Sequence, residues 1–388
     1  MTQPVKSAKP DSIDHQTKSN ALGRRALLTG AVAATALGIT GLTGCQADCD
    51  QGVTLDHERV FNWKMVTSWP KNFPGLGTGA NNLAQLIEQM SGGRIKVTVF
   101  GAGELVGPFE VFDAVSQGQA ELGHSTAYYW KGKLPSADFF TVVPMGLTAE
   151  EMNSWLYYGG GMALWEEAYK PFGLIPNAAG NSGTQMGGWF NREINSLADL
   201  RGLKIRMPGL GAEVYEKVGA VPVNLPGNEL FQGMQTGLID AVEFVGPYND
   251  LAFGFHRVAK YYYTPGWQEP GSAIECMINA KAFAELTPDL QVIVRSAMKV
   301  ANLNMLAEYT ARNQQALNTL IKQHGVQLRH FPQDVLLALK QTSEEVVEAA
   351  AARDPLAQKV WASQKAFRDQ VAPWTEQSLK AFLDLRYM

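Results

Sequence analysis

The alternation of apolar and polar positions divides most of the chain into short strands and helices. Val60–Thr67 reads as a strand, and Trp69 to Gly79 as a Gly/Pro-rich loop. Leu83, Leu86, Ile87 and Met90 recur at helical spacing, which predicts a helix over Ala80–Met90 that Ser91-Gly92-Gly93 stops. Ile95–Val99 alternates like a strand, Phe109–Gln117 reads as a helix, and Glu121–Thr126 as a strand running into Ala127-Tyr128-Tyr129-Trp130. This βαβα rhythm predicts an α/β layer with a mostly parallel sheet, in which the loops at strand C-termini form the ligand crevice.

A second α/β unit starts near Pro176. Its strand candidates are Gln185–Asn191, Lys204–Met207, Val221–Val223 and Ala241–Val245, with helices at Ser196–Leu200, Gly211–Val218 and Glu229–Thr236. Asp289 to His324 then runs without Gly or Pro, with Ile293, Ala297, Val300, Leu303, Leu306, Leu317 and Leu320 at helical spacing. At ~1.5 Å per residue that helix is about 50 Å long, longer than one domain is wide, so it is expected to cross both. Helical stretches over Asp334–Ala352 and Asp354–Leu385 close the chain.

Charge changes the picture at the start. The 388 residues carry 33 Lys+Arg and 37 Asp+Glu, a net charge of −4, with no long basic run to suggest a nucleic-acid surface. Residues 1–44 hold five of the basic residues and two of the acids; without them 344 residues remain with 28 basic and 35 acidic, a net −7. Arg24-Arg25 followed by the uncharged, only mildly apolar Ala26–Gly44 reads as an export signal of twin-arginine character rather than a membrane span. Leu42-Thr43-Gly44-Cys45 resembles a bacterial lipobox, which would make Cys45 a lipidated mature N-terminus and the only attachment to a membrane. Cys49 and Cys276 are the other two cysteines, too few for a disulfide framework, and their pairing stays open.

Catalytic motifs are missing: no G-x-S-x-G elbow, P-loop, dinucleotide fingerprint or zinc-spaced Cys/His cluster occurs. His124, at a strand end, reads as structural. Polar groups at the ends of apolar strands are more telling. Arg206, in Leu203–Gly209, ends a strand before the Pro208-Gly209 turn, so its fork faces either an internal acid or a carboxylate ligand. Glu243 sits inside the apolar Ala241–Val245, and Gln185 lies beside glycines in Gly183–Gly188. An amide oxygen and a carboxylate are hard donors suited to Na⁺ or Ca²⁺, and Glu269 is placed to complete such a cage. Tyr128 and Tyr129 follow a strand end and carry polar tips, which marks them among the aromatics.

Trp63–Pro70, Gln185–Phe190, Leu203–Gly209, Gly237–Glu243 and Tyr261–Trp267 together resemble the periplasmic solute-binding subunits of tripartite ATP-independent periplasmic (TRAP) transporters. The likeness is strongest to the branch that binds 2-oxo acids and related monocarboxylates, and it covers essentially the whole mature chain. It implies a two-domain α/β periplasmic binding protein with a domain-spanning long helix and an extended C-terminal helix. Laid on that fold, the chain divides into an export signal (1–44), a tether (45–57), domain I (58–180 plus about 273–305), domain II (181–272 plus about 306–352) and a C-terminal helix (353–388).

The resemblance assigns Arg206 to the substrate carboxylate, Gln185 and Glu243 to a bridging Na⁺ or Ca²⁺, and the Phe244 carbonyl to the same cation. Tyr128 and Tyr129 form the opposite lip, and Glu269 a further wall or cation position. The family usually carries Trp where this chain has Phe244, which bears on pocket size. The implied partners are a small carboxylate, integral-membrane TRAP permease subunits and a second copy of the chain through the C-terminal helix. An exported metal-dependent enzyme acting on 2-oxo acids is the alternative, since the same Arg, Glu and cation would polarise a carbonyl; it lacks a readable general base.

Overall fold

A computed structural model describes residues 59–388. The expected export signal, the Cys45 lipidation site, Cys49 and the whole of the tether lie outside the described residues. The elements in chain order are β1 (Phe61–Thr67), α1 (Leu76–Met90), β2 (Ile95–Phe100), α2 (Val111–Ser116), β3 (Leu122–Ser125), α3 (Ala137–Thr141), α4 (Ala149–Tyr158), α5 (Gly161–Tyr169) and β4 (Leu174–Asn181). There follow β5 (Gly188–Phe190), β6 (Lys204–Arg206), α6 (Gly209–Lys217), β7 (Val221–Val223), α7 (Leu230–Thr236), β8 (Ala241–Val242), α8 (Pro247–Phe253) and β9 (Tyr261–Thr264). The last are β10 (Ala273–Asn279), α9 (Ala280–Ala284), α10 (Pro288–His324), β11 (Gln327–His330), α11 (Gln333–Ala351), α12 (Pro355–Thr375) and α13 (Ala381–Arg386).

Two sheets result, with strand orders β2-β1-β3-β10-β4 and β11-β9-β5-β8-β6-β7. In the first, β1 runs parallel to β2 and β3, and only β10 runs against its neighbours. In the second, β5 is the strand that runs against β8 and β9. These two strands have one origin: each is entered directly from the other sheet, β5 after β4 and β10 after β9. A parallel strand ends at its sheet's C-terminal edge. A short link from there enters the second sheet at the facing C-terminal edge, so the new strand must run backwards. The two antiparallel strands therefore show that the C-terminal edges of the sheets face each other, which is where α/β sheets place ligands.

The long helix spans 37 residues, about 55 Å at 1.5 Å per residue. Its first half, Leu290, Val294, Ala297, Met298 and Ala301, packs in one core with Met65, Ile95 and Ile278 of the first sheet. Met305, Tyr309 and Leu320 pack in another with Trp189, Val242 and Tyr262 of the second. The expected crossing of both lobes is observed.

Several expectations are corrected. The loop read through Gly79 is helical from Leu76. Gly77 is required there because a Cβ would lie 2.6 Å from the Pro70 carbonyl. The segment at Pro176 opens no second unit; it lies in β4, an edge strand of the first sheet paired only with β10, where a missing N–H is tolerated. The strand read over Gln185–Asn191 shortens to Gly188–Phe190, because residues 182–187 are the link between sheets. The predicted C-terminal helix runs on without a break to Arg386, with a π segment at Glu376–Lys380 shortly after Pro373 removes a backbone donor. Cys276 is buried within β10.

Candidate functional site

Topology brings the expected residues to one place from four directions. Arg206 is the last residue of β6, and Glu243 and Phe244 follow β8. Gln185 and Glu269 lie in the two links between sheets, joined by a hydrogen bond from the Gln185 N–H to the Glu269 carbonyl (3.1 Å). Tyr128 and Tyr129 occupy the 3₁₀ turn after β3, on the first lobe.

Arg206 is fully buried. Its Nε donates to the Leu225 carbonyl (3.1 Å) and Nη1 to the Glu243 carbonyl (2.5 Å), while Nη2 reaches across the cleft to the Tyr129 hydroxyl (3.4 Å). The guanidinium carbon lies 5.5 Å from the centre of the Phe244 ring. Among the described residues its only charged neighbour within ion-pair range is Glu243, at 3.5 Å between Nη1 and Oε2, without the paired geometry of a bidentate bridge. A buried guanidinium held mainly by carbonyls and a phenol keeps unspent capacity for an anion.

The oxygens around it are also under-used. Gln185 donates its amide to Ser182 Oγ (2.9 Å) and Ser272 Oγ (3.4 Å), and its buried Oε1 has no partner among the described residues. Glu243 accepts from Gln268 at Oε1 (3.4 Å) while its Oε2 has no hydrogen bond. Glu269 accepts from Ser272 Oγ at 2.5 Å. Burial pushes Glu269 up to about 7, against the pull of Ser272 and Arg206. Burial, then the charge of Glu269, holds Glu243 well above the ordinary carboxyl range, with Arg206 opposing. Two buried carboxyls, with an unfilled oxygen on Glu243 and another on Gln185, fit a hard cation, which supplies the missing charge and the missing partner together. Among the described residues no group of three or more His, Cys, Asp and Glu is poised to hold a metal ion. A cation here would instead depend on amide and carbonyl oxygens and on the ligand itself.

Gln268 is a residue that sequence reasoning passed over. Its Nε2 donates to the Met186 carbonyl (2.8 Å) and to Glu243 (3.4 Å). Both partners are acceptors, which fixes the amide's orientation and leaves its buried Oε1 unpaired. The signal was present in Trp267-Gln268-Glu269-Pro270, where the neighbouring acid drew the attention. Ser182 and Ser272, which hold Gln185 in place, carried no signal at all.

Aromatic side chains close the walls. Phe73 of the first lobe packs 6.1 Å from Phe244 and 4.3 Å from Phe253 of the second. Tyr129 packs against Tyr128 (5.1 Å) and Phe109 (4.9 Å). The space beside Tyr128, Gln268 and Glu269 is closed even to a water-sized sphere. His124 accepts from Trp69 Nε1 at 2.9 Å and burial lowers it to about 4, so it stays neutral and buttresses the wall.

A cleft between facing strand edges, closed on a buried arginine and unfilled oxygens, defines a two-lobed solute-binding protein. Residues 65–354 match the family of bacterial extracellular solute-binding proteins, family 7. The chain is 41% identical over 351 residues (90% of this chain, 95% of the relative) to a monocarboxylate 2-oxoacid-binding periplasmic protein of Nostoc sp.. It is also 42% identical, with a TM-score of 0.82, to a TRAP periplasmic solute-binding protein of Pseudoalteromonas atlantica solved with sodium and pyruvate, covering 84% of this chain and 99% of that one. A TRAP solute-binding protein of Bordetella bronchiseptica, a mixed-occupancy dimer with calcium and picolinate, is 35% identical with a TM-score of 0.83, covering 85% and 98%. The chain belongs to the family 7 extracellular solute-binding proteins, the receptor subunits of TRAP transporters. This is a family of periplasmic receptors rather than enzymes, as the sequence led us to expect. Among the described residues no helix is long and apolar enough to cross a membrane.

Proposed function

We propose that this protein captures a small 2-oxo monocarboxylate such as pyruvate, or a 2-hydroxy acid such as lactate, and delivers it to a TRAP permease in the membrane. The carrying observation is the buried Arg206 guanidinium within reach of Glu243, in a cleft where the Gln185 and Glu243 oxygens have no partner. Arg206 takes the carboxylate. Gln185, Glu243 and the Phe244 carbonyl hold a Na⁺ or Ca²⁺, with Glu269 as a further wall, and the cation supplies positive charge for the ligand's second oxygen. Tyr128 and Tyr129 close from the first lobe, and the aromatic walls keep the ligand short. Sodium with pyruvate in one structural neighbour, and calcium with picolinate in another, support this reading.

The same reading takes the two lobes to follow the division expected from sequence, with 58–180 and about 273–305 in one and 181–272 and about 306–352 in the other. Export through the Arg24-Arg25 signal, lipidation at Cys45 and pairing with a second copy belong to it as well. Exposed Trp374, Phe382, Leu385 and Tyr387 near the C-terminus support the last of these. Calorimetry with pyruvate, 2-oxobutyrate, lactate and longer 2-oxo acids, with and without Na⁺ or Ca²⁺, is the test. Tight, cation-dependent binding of the short acids is expected; no binding of any, or binding indifferent to cations, would overturn it.

A further inference from the structure

A second set of polar contacts joins the lobes away from the unfilled oxygens. The turn carrying Tyr128 and Tyr129 continues into Lys131, whose N–H donates to the Tyr128 carbonyl (3.2 Å). Lys131 Nζ crosses to α6 of the second lobe and donates to the Gly209 carbonyl (3.1 Å) and to Glu213 Oε1 (3.2 Å). Arg353 donates to both oxygens of the same carboxylate, Nη1 to Oε1 (2.9 Å) and Nη2 to Oε2 (2.5 Å). Arg353 itself stands at a lobe boundary. It lies between α11, which packs on α6, and α12, which packs on α3, α4 and α5 of the first lobe.

The place of these contacts in the chain couples them to the site. Gly209 follows Arg206 by three residues and has φ +63, and a Cβ there would lie 3.2 Å from the Tyr128 ring. One turn of the first lobe thus straddles Gly209, the tyrosine on one side and the lysine on the other. Burial works against the charge on Glu213, yet the hydrogen bonds from Arg353 and Lys131 hold its pKa below the ordinary value. The carboxylate is therefore ionised at neutral pH with both oxygens committed.

We propose that Lys131, Glu213 and Arg353 form a clasp that engages when the lobes close, so that part of the ligand affinity is set by residues that never touch ligand. In a receptor that must close to bind, the observed affinity is the intrinsic one multiplied by the fraction of competent conformer, and any contact made only in the closed form raises that fraction. The side chains of Lys131, Glu213 and Arg353 are 34%, 21% and 45% exposed. Each pair alone is thus a weak, salt-screened bridge, and the effect rests on three groups acting on one carboxylate.

This inference rests on the reading that the lobes close over a carboxylate, and the experiment separates the two. The full chain carries one spin label on each lobe, and interlobe distances and pyruvate affinity are measured with Na⁺ across a salt series. Lys131→Met and Glu213→Gln are expected to shift the distance distribution toward the open form and to weaken affinity about 3- to 10-fold, mainly through faster release. They are also expected to flatten its salt dependence, while Lys131→Arg behaves as the wild type. Wild-type distances together with wild-type affinity in Lys131→Met and Glu213→Gln would overturn the clasp, as would a loss of affinity equal in Lys131→Arg. Should the wild type bind no carboxylate, the functional reading fails. The distances of the ligand-free protein then decide the clasp alone, an unshifted distribution overturning it.

Discussion

Each lobe buries a glutamate in or beside a strand, and the two are treated in opposite ways. Glu275, in β10 of the first sheet, has both oxygens occupied: Oε1 accepts from Trp130 Nε1 and Oε2 from the Tyr169 hydroxyl, each at 2.8 Å. Among the described residues no cation stands beside it, and burial pushes it up to about 8 against those two hydrogen bonds, so it is largely protonated at neutral pH, a closed structural group. Glu243, just beyond β8 of the second sheet, is equally inaccessible but has an arginine at 3.5 Å and one oxygen without a hydrogen bond. Burial therefore does not mark a binding site. What sets Glu243 apart is capacity left unfilled, because desolvating a polar atom without pairing it costs several kcal/mol unless a ligand completes the pair.

The contrast can be broken experimentally, beginning with its strongest element. Arg206→Ala leaves Glu243 and Glu269 without their opposing charge and removes the fork that meets a carboxylate; pyruvate affinity measured by calorimetry should fall about 1000-fold. Glu243→Gln keeps the shape and removes the charge, with an expected loss of about 100-fold and the disappearance of cation dependence. The matching change Glu275→Gln should leave affinity within about twofold; a large loss there would erase the distinction between the two acids.

The third effect is on stability and runs through pH. A carboxyl whose folded pKa is raised favours the native state below its unfolded value, and that advantage drains away as pH rises toward the folded value. With Glu275 near 8 in the folded protein and 4.5 as its ordinary value, the wild type should lose about 2 kcal/mol between pH 5 and pH 7 from this group. Glu275→Gln should remove that slope, as thermal or urea unfolding at several pH values would show. The smallest effect concerns Gln268. Gln268→Leu unties Glu243 and strands the Met186 carbonyl, and about a tenfold loss of affinity with little change in melting temperature is expected.

How far the site was legible depended on contrast with its surroundings. Arg206 and Glu243 stand out because a charge held between Ile205 and Met207, or just after Ala241-Val242, needs a reason. Gln268 did not, since an uncharged amide next to an acid in a Pro/Gly-bounded loop looks like ordinary surface, and its 1% exposure is a tertiary fact. Among the elements, β4 was hidden by Pro176 and Asn177, which read as turn residues, and β10 by the acid and cysteine in Ala273–Asn279. Both are strands because their partners cover them, a force that no local pattern carries.

By itself the chain determined its alternation of strands and helices, the long apolar-spaced helix, and the polar residues placed at strand ends, since these follow from local spacing and from the cost of a charge among apolar neighbours. Only the tertiary structure decided that two links between sheets turn one strand of each around and set their C-terminal edges face to face. That same arrangement brought Gln185, Gln268 and Glu269 from the links to Arg206 and Glu243, left Glu243 open while Glu275 was sealed, and laid Lys131 across to Glu213. Contacts between residues distant in sequence are made by packing as a whole, and the unfilled oxygens around Arg206 exist only once that packing has excluded water.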